Sequence, residues 1–150
     1  MSRFLIVCLL LCACSNPNEN KFTFKDRQDF ALNGSTLSGW VPQEIVFASA
    51  KNIRVTTNVD LNVVRADFLI DRSEISRIPS GFFPIEGSRL NRLISGAVLQ
   101  PMPDDAVLAG RCSGDSVEFL MIKKSGKAAY WNSRLQEARK MVCNPRKGGK

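Results

Sequence analysis

The chain has 150 residues, 44% of them apolar, with a formal net charge of +7 and no histidine. This length and apolar content support one hydrophobic core and are too small for two. The missing imidazole excludes Ser-His-Asp and Cys-His nucleophile arrangements and histidine-completed metal shells, and removes the commonest general base near neutral pH.

In chain order, a single cation, Arg3, precedes an apolar run that begins at Phe4 and continues unbroken through Ala13. A membrane-spanning helix needs roughly 20 residues, so the run is too short to remain as a span. Its layout is that of a removed secretory signal: a basic start, a short apolar centre and small residues before the cut. The run ends in Leu11-Cys12-Ala13-Cys14, which resembles the lipobox of bacterial lipoprotein precursors. The resemblance implies that residues 1–13 leave as a signal peptide and that Cys14 becomes lipidated, carrying diacylglycerol through a thioether and labelling with palmitate. It also implies a lipid-anchored protein outside the cytoplasm. Ser15 is not the aspartate that retains such proteins in the inner membrane of enteric bacteria. In a host with two membranes the resemblance therefore implies the outer membrane, on its periplasm-facing leaflet.

Residues 14–20 read as the lipidated cysteine and a polar tether, because Pro17 and the asparagines at 16, 18 and 20 cannot bury enough apolar surface to fold. Fully extended, Ser15 to Asn20 reaches only about 20 Å, which keeps the following domain close to the bilayer. Residues 21–145 read as a single α+β domain, and 146–150 as a basic C-terminal tail.

Phe22 and Phe24 suggest an opening strand, and Glu44–Ala48 another. Ile53, Val55, Thr57 and Val59 alternate with polar neighbours, as do Val64, Ala66, Phe68 and Ile70. Period two predicts half-buried strands, and the polar stretch around Asp60 and Asn62 joins them as a hairpin. Leu90, Leu93, Ile94 and Ala97 fall at helical spacing behind Ser88, which predicts a helix within Gly87–Gln100. Ser116–Lys123 and Lys127–Trp131 flank the turn Lys124-Ser125-Gly126. A last helix, capped by Asn132, then presents Leu135, Ala138 and Val142 on one face and stops at Asn144-Pro145. The expected fold is an antiparallel sheet of about five to seven strands with two helices and one disulfide.

The disulfide follows from counting. Cys8 and Cys12 leave with the signal and Cys14 is consumed by lipid, so Cys112 and Cys143 remain as a pair. In an oxidising envelope compartment such a pair is expected to bond, closing a loop of about 31 residues.

Catalytic candidates are weak. Ser125 lies beside Lys124 and Lys127, which is ordinary turn composition. Asp104, Asp105 and Asp115 could gather a hard cation but read more simply as solvated loop carboxylates. Asp67, Asp71, Glu74 and Glu86 have no spacing that calls for paired-carboxylate chemistry. No catalytic, cofactor or metal site is assigned, and no cofactor is expected. Trp40, Tyr130 and Trp131 are candidate interface anchors, with Trp131 better placed as core. Basic residues are spread along the chain and are dense only at Arg134, Arg139, Lys140, Arg146, Lys147 and Lys150. For an exported protein the available acidic counterparts are envelope proteins, anionic lipid, lipopolysaccharide or peptidoglycan, and not nucleic acid.

The expected function is a non-catalytic binding or assembly module of the cell envelope, such as a subunit of a secretion, conjugation or pilus apparatus. A small periplasmic inhibitor or immunity-type protein is the alternative, and an envelope hydrolase the second.

Overall fold

The computed structural model describes residues 18–37, 39–85 and 105–143. Cys14, the expected Gly87–Gln100 helix, Glu86, Asp104 and the basic tail lie outside these residues.

One antiparallel sheet organises the described chain. Its strands are β1 (Glu19–Asp26), β2 (Lys51–Asn58), β3 (Val63–Leu69), β4 (Phe83–Pro84), β5 (Ala106–Ser113), β6 (Ser116–Lys123) and β7 (Lys127–Ser133). Their spatial order is β1-β2-β3-β7-β6-β5-β4. The sheet is thus two meanders joined at the β3–β7 pair, where Ala66 faces Tyr130 and Asp67 faces Ala129. The α+β fold, the antiparallel sheet and both expected hairpins are as the sequence predicts.

Alternation decides the faces. The inner face carries Phe22, Val55, Ala66, Tyr130, Leu120 and Ala109 in one cross-strand row. Phe24, Ile53, Phe68, Ala128 and Ile122 belong to the same core. Helix α1 (Arg27–Asn33) and the irregular segment after it cover this face, burying Phe30, Leu37, Val41, Ile45, Val46 and Phe47. Phe30 meets Phe24 edge to face, with ring centroids 5.1 Å apart.

Among the described residues, only the C-terminal meander is covered on its outer face. Helix α2 (Gln136–Cys143) lays Ala138 and Val142 on Leu108, Val117 and Phe119. Cys112 and Cys143, with Cα atoms 5.6 Å apart, close a disulfide that ties the end of α2 to β5. Among the described residues, no helix is long and apolar enough to cross a membrane.

Several local expectations change. Glu44–Ala48 is not a strand. Gln43–Ile45 forms a short 3-10 turn, and Ile45, Val46 and Phe47 are all buried, whereas a half-wet strand would alternate. Asn132 does not cap the last helix. It lies in β7, where its side-chain oxygen accepts from Val64 N at 2.8 Å, and the Ser133 hydroxyl accepts from Leu135 N instead. Leu135 is exposed and only Ala138 and Val142 of the expected face are buried. Strand β1 begins at Glu19, so Glu19 and Asn20, assigned to the tether by composition, pair with Asn58 and Thr57.

Helix α1, strand β5 and the two-residue strand β4 were not expected. Helix α1 is held at its start by Asp26, whose carboxylate accepts from Asp29 N at 2.9 Å, and at its end by Gly34, whose N–H reaches Phe30 O at 2.8 Å. Strand β5 pairs along its whole length with β6. Gly126, at φ +83° in the β6–β7 turn, shows why that turn needs glycine: a Cβ there would lie 2.5 Å from the Ile70 carbonyl oxygen.

Candidate functional site

The outer face of β1, β2 and β3 is mostly polar, with Val63 and Leu69 at the two ends of its β3 column, and no described element covers it. Register puts Thr23, Arg54 and Asp67 in one row and Lys21, Thr56 and Arg65 in the next. Lys25 and Glu19 extend the β1 column on the same side. The cations Lys21, Lys25, Arg54 and Arg65 outnumber the acids Glu19 and Asp67.

The Arg65 guanidinium donates through Nε and Nη2 to the two Asp67 oxygens, both at 2.8 Å, and this bidentate contact raises its pKa further. Lys21 lies 3.8 Å from Glu19. Such exposed pairs add little stability, typically about 0–1 kcal/mol. The face is therefore a preformed arrangement of charge and hydrogen-bonding groups that the fold does not need for its own core.

Beside it, β1 is the terminal strand of the sheet order. A terminal strand offers backbone donors and acceptors to an added strand, and Lys21 and Lys25 on it discourage indiscriminate pairing. Together the edge and the face can receive an extended or flat acidic partner. The signal missed at the sequence level was the polar member of each alternating pair, which shows whether a sheet face is wet but not that it is left open.

Toward one end of the inner face lies a charged pair, where Arg111 and Glu118 face each other across β5 and β6. Arg111 donates to Glu118 through Nε at 3.1 Å and Nη2 at 2.6 Å, and to Glu44 through Nη1 at 3.0 Å. Its guanidinium carbon sits 4.8 Å from the centre of the Phe82 ring. Glu118 is only 6% exposed, which makes Arg111 its necessary counter-charge. Burial, reinforced by the nearby Glu118 charge, pushes the Tyr130 hydroxyl above its ordinary pKa, and that hydroxyl donates toward Trp40 O at 3.5 Å. With its charges mutually satisfied, this cluster pins the 40–45 segment and Phe82 onto the sheet.

The sequence candidates are dispersed. Tyr130 is buried in the core and is no exposed anchor; Trp131 stacks on Phe119 at 5.2 Å, and Trp40 packs against the inner core. Asp67 lies on the outer face. Asp71 and Glu74 instead flank Ser49, which accepts from Asp71 N at 2.9 Å and donates its hydroxyl proton to the Glu74 carboxylate. Asp105 and Asp115 stand at opposite ends of the eight-residue β5. Ser125 sits in the exposed turn between Lys124 and Gly126. Among the described residues, no group of three or more acidic or thiol side chains is placed to hold a metal ion.

A family model described as the YbbD head domain matches residues 19–69. The matched stretch begins and ends with β1 and β3, so it coincides with the N-terminal meander and α1. It covers about a third of the chain and includes the open polar face. No curated protein and no solved structure matches the chain.

Proposed function

We propose that this protein is a lipid-anchored, non-catalytic module of the bacterial cell envelope that binds an acidic partner protein through the open face and edge of its N-terminal meander. The observation that carries the anchored part is the Leu11-Cys12-Ala13-Cys14 sequence. The Cys112–Cys143 disulfide supports it, because structural disulfides belong to oxidising compartments. In a host with two membranes the site of action is the periplasm-facing leaflet of the outer membrane.

The binding part rests on the contrast between a covered C-terminal half and a wet, cationic N-terminal half of one sheet face. Lipid anchoring restricts the search for such a partner to the membrane plane and raises its effective concentration.

Metabolic labelling with palmitate tests the anchor. Label is expected on the wild-type chain and not on Cys14→Ser, and an unlabelled wild-type chain with an intact amino terminus would defeat the anchored reading. Crosslinking in the native host tests the binding class. Several subunits of one envelope apparatus recovered through Lys21 or Lys25 support an assembly role, a single enzyme supports an inhibitor, and crosslinks confined to other surfaces remove the proposed face.

A further inference from the structure

The β2–β3 hairpin tip stands where the tether joins the domain. Glu19 pairs with Asn58, and the Asn18 side-chain amide donates to the Asp60 carboxylate at that tip. The tip is built, not loose. Asn58 Oδ1 accepts from Leu61 N at 3.0 Å, Asn62 N reaches Val59 O at 3.2 Å, and Asn62 holds φ +49°. With these polar groups engaged locally, the turn nevertheless leaves two large apolar side chains in solvent, Val59 at 58% and Leu61 at 66% exposed. The Asn62 side-chain amide, its oxygen assigned by the hydrogen-bond network, lies against the Arg134 guanidinium, which puts a cation at the rim.

On the reading that Cys14 carries lipid, geometry fixes what these side chains meet. Four peptide links join Cys14 to Asn18, so their Cα atoms are at most about 14 Å apart. The interfacial region of one leaflet is roughly 5–8 Å deep. The tip is bonded to Asn18, so a lipid on Cys14 keeps it near the head groups.

We infer that the Val59-Asp60-Leu61 tip is a second membrane contact, inserting Val59 and Leu61 into the lipid interface and standing the domain end-on to the bilayer. Two acids, Glu19 and Asp60, accompany Lys21 and Arg134 at this end, so the contact is driven by apolar burial and does not require anionic lipid. The lipid supplies the attachment and the tip supplies the orientation, since a second contact restrains the rotation that a single acylated residue leaves free. End-on standing leaves the outer face of β1–β3 turned along the membrane, where a neighbouring envelope protein can reach it.

The test uses the full lipidated protein, purified from membranes and reconstituted into phosphatidylcholine vesicles containing brominated acyl chains. Leu61→Trp is compared with Leu69→Trp, which sits six residues from Val63 along β3 and so about 20 Å from the tip end of that strand. Both are read against the parent fluorescence of Trp40 and Trp131. The expected result is at least twofold quenching at position 61, none beyond background at position 69, and the same pattern when anionic lipid is added. Quenching at neither position, in protein whose palmitate label shows it to be lipidated, overturns the tip contact while leaving the anchor standing. Equal quenching at both overturns the end-on orientation. Absence of palmitate label removes the anchor itself and the tip proposal with it.

Discussion

One cross-strand row of the outer face runs Lys21, Thr56, Arg65, Trp131, Phe119, Gly110, and its two halves could belong to different proteins. On β1, β2 and β3 the row is charged and wet; on β7, β6 and β5 it is apolar and lies under α2. The backbone lattice is continuous across the join, so hydrogen bonding does not distinguish the halves. The difference is what each half is packed against. An antiparallel sheet tolerates one solvated face, provided that the other supplies a core, and here the inner face does so for both meanders. The C-terminal half uses its outer face for a second small core, and among the described residues nothing covers the outer face of the N-terminal half. The family match to residues 19–69 falls on the N-terminal half.

The largest effect should separate the two ends of that row. Phe119 is 2% exposed and stacks on Trp131, so Phe119→Ala should cost about 3–5 kcal/mol in urea unfolding. Lys21→Ala on the same row should stay within about 0.5 kcal/mol. Similar losses at both positions would break the contrast. Next comes the buried pair on the inner face. Arg111→Met leaves the Glu118 carboxylate buried without a counter-charge and should cost about 3 kcal/mol. Adding Glu118→Leu should return most of that loss. A double variant no better than the single one would show that Arg111 acts through Phe82 and Glu44 instead.

The disulfide sharpens the comparison regionally. Cys112→Ser with Cys143→Ser should lower stability by about 2–3 kcal/mol, within the range usual for a closed loop of this size. Native-state hydrogen exchange should accelerate first in α2 and β5, with β2 and β3 unchanged until global unfolding. This bond was legible in the sequence because cysteine arithmetic left one pair. The β2–β3 and β6–β7 hairpins were legible too, through strict alternation in one and a glycine turn in the other.

Strand β5 was not legible, for a physical reason. Its Leu108, Ala109 and Gly110 are buried in succession because one side packs on the inner core and the other on α2, so no polar member marks the period. The run Ile45-Val46-Phe47 misleads in the opposite direction: it is continuously apolar, yet it is an irregular cover over the sheet. Helix α1 is too short for a periodic signal and depends on Asp26 and Gly34 at its ends. The Arg111–Glu118 pair depends on strand register, which the order of residues does not display.

A smaller, pH-dependent effect belongs to the segment that closes the inner face. Burial alone would raise the Glu74 pKa. The Ser49 hydroxyl and N–H, the Ala48 N–H and the Arg77 charge outweigh it and hold the carboxyl below the usual glutamate range. A pKa lowered on folding contributes stability that is complete above the usual glutamate range and is lost as pH falls through the lowered value. Glu74→Gln should therefore destabilise by about 1 kcal/mol at neutral pH and match the wild type in strong acid. A difference that persists unchanged at low pH would assign the loss to packing.

The smallest expected effect on stability carries the most functional meaning. Arg54 and Arg65 project from the open face, where the Arg65–Asp67 pair is half-exposed and worth little to the fold. Arg54→Ala with Arg65→Ala should change the unfolding free energy by under about 0.5 kcal/mol and leave the circular dichroism spectrum unaltered. If this face is kept wet for a partner, the same double variant should lose the crosslinks formed through Lys21 and Lys25 while still labelling with palmitate. Charge reversal by Arg54→Glu should weaken capture further and make the residual binding less sensitive to salt, because a rim charge acts chiefly on encounter. Full retention of partner crosslinks in both variants would mean that the polar half of the row serves solubility alone. The asymmetry of the sheet would then reflect only where α2 happens to lie.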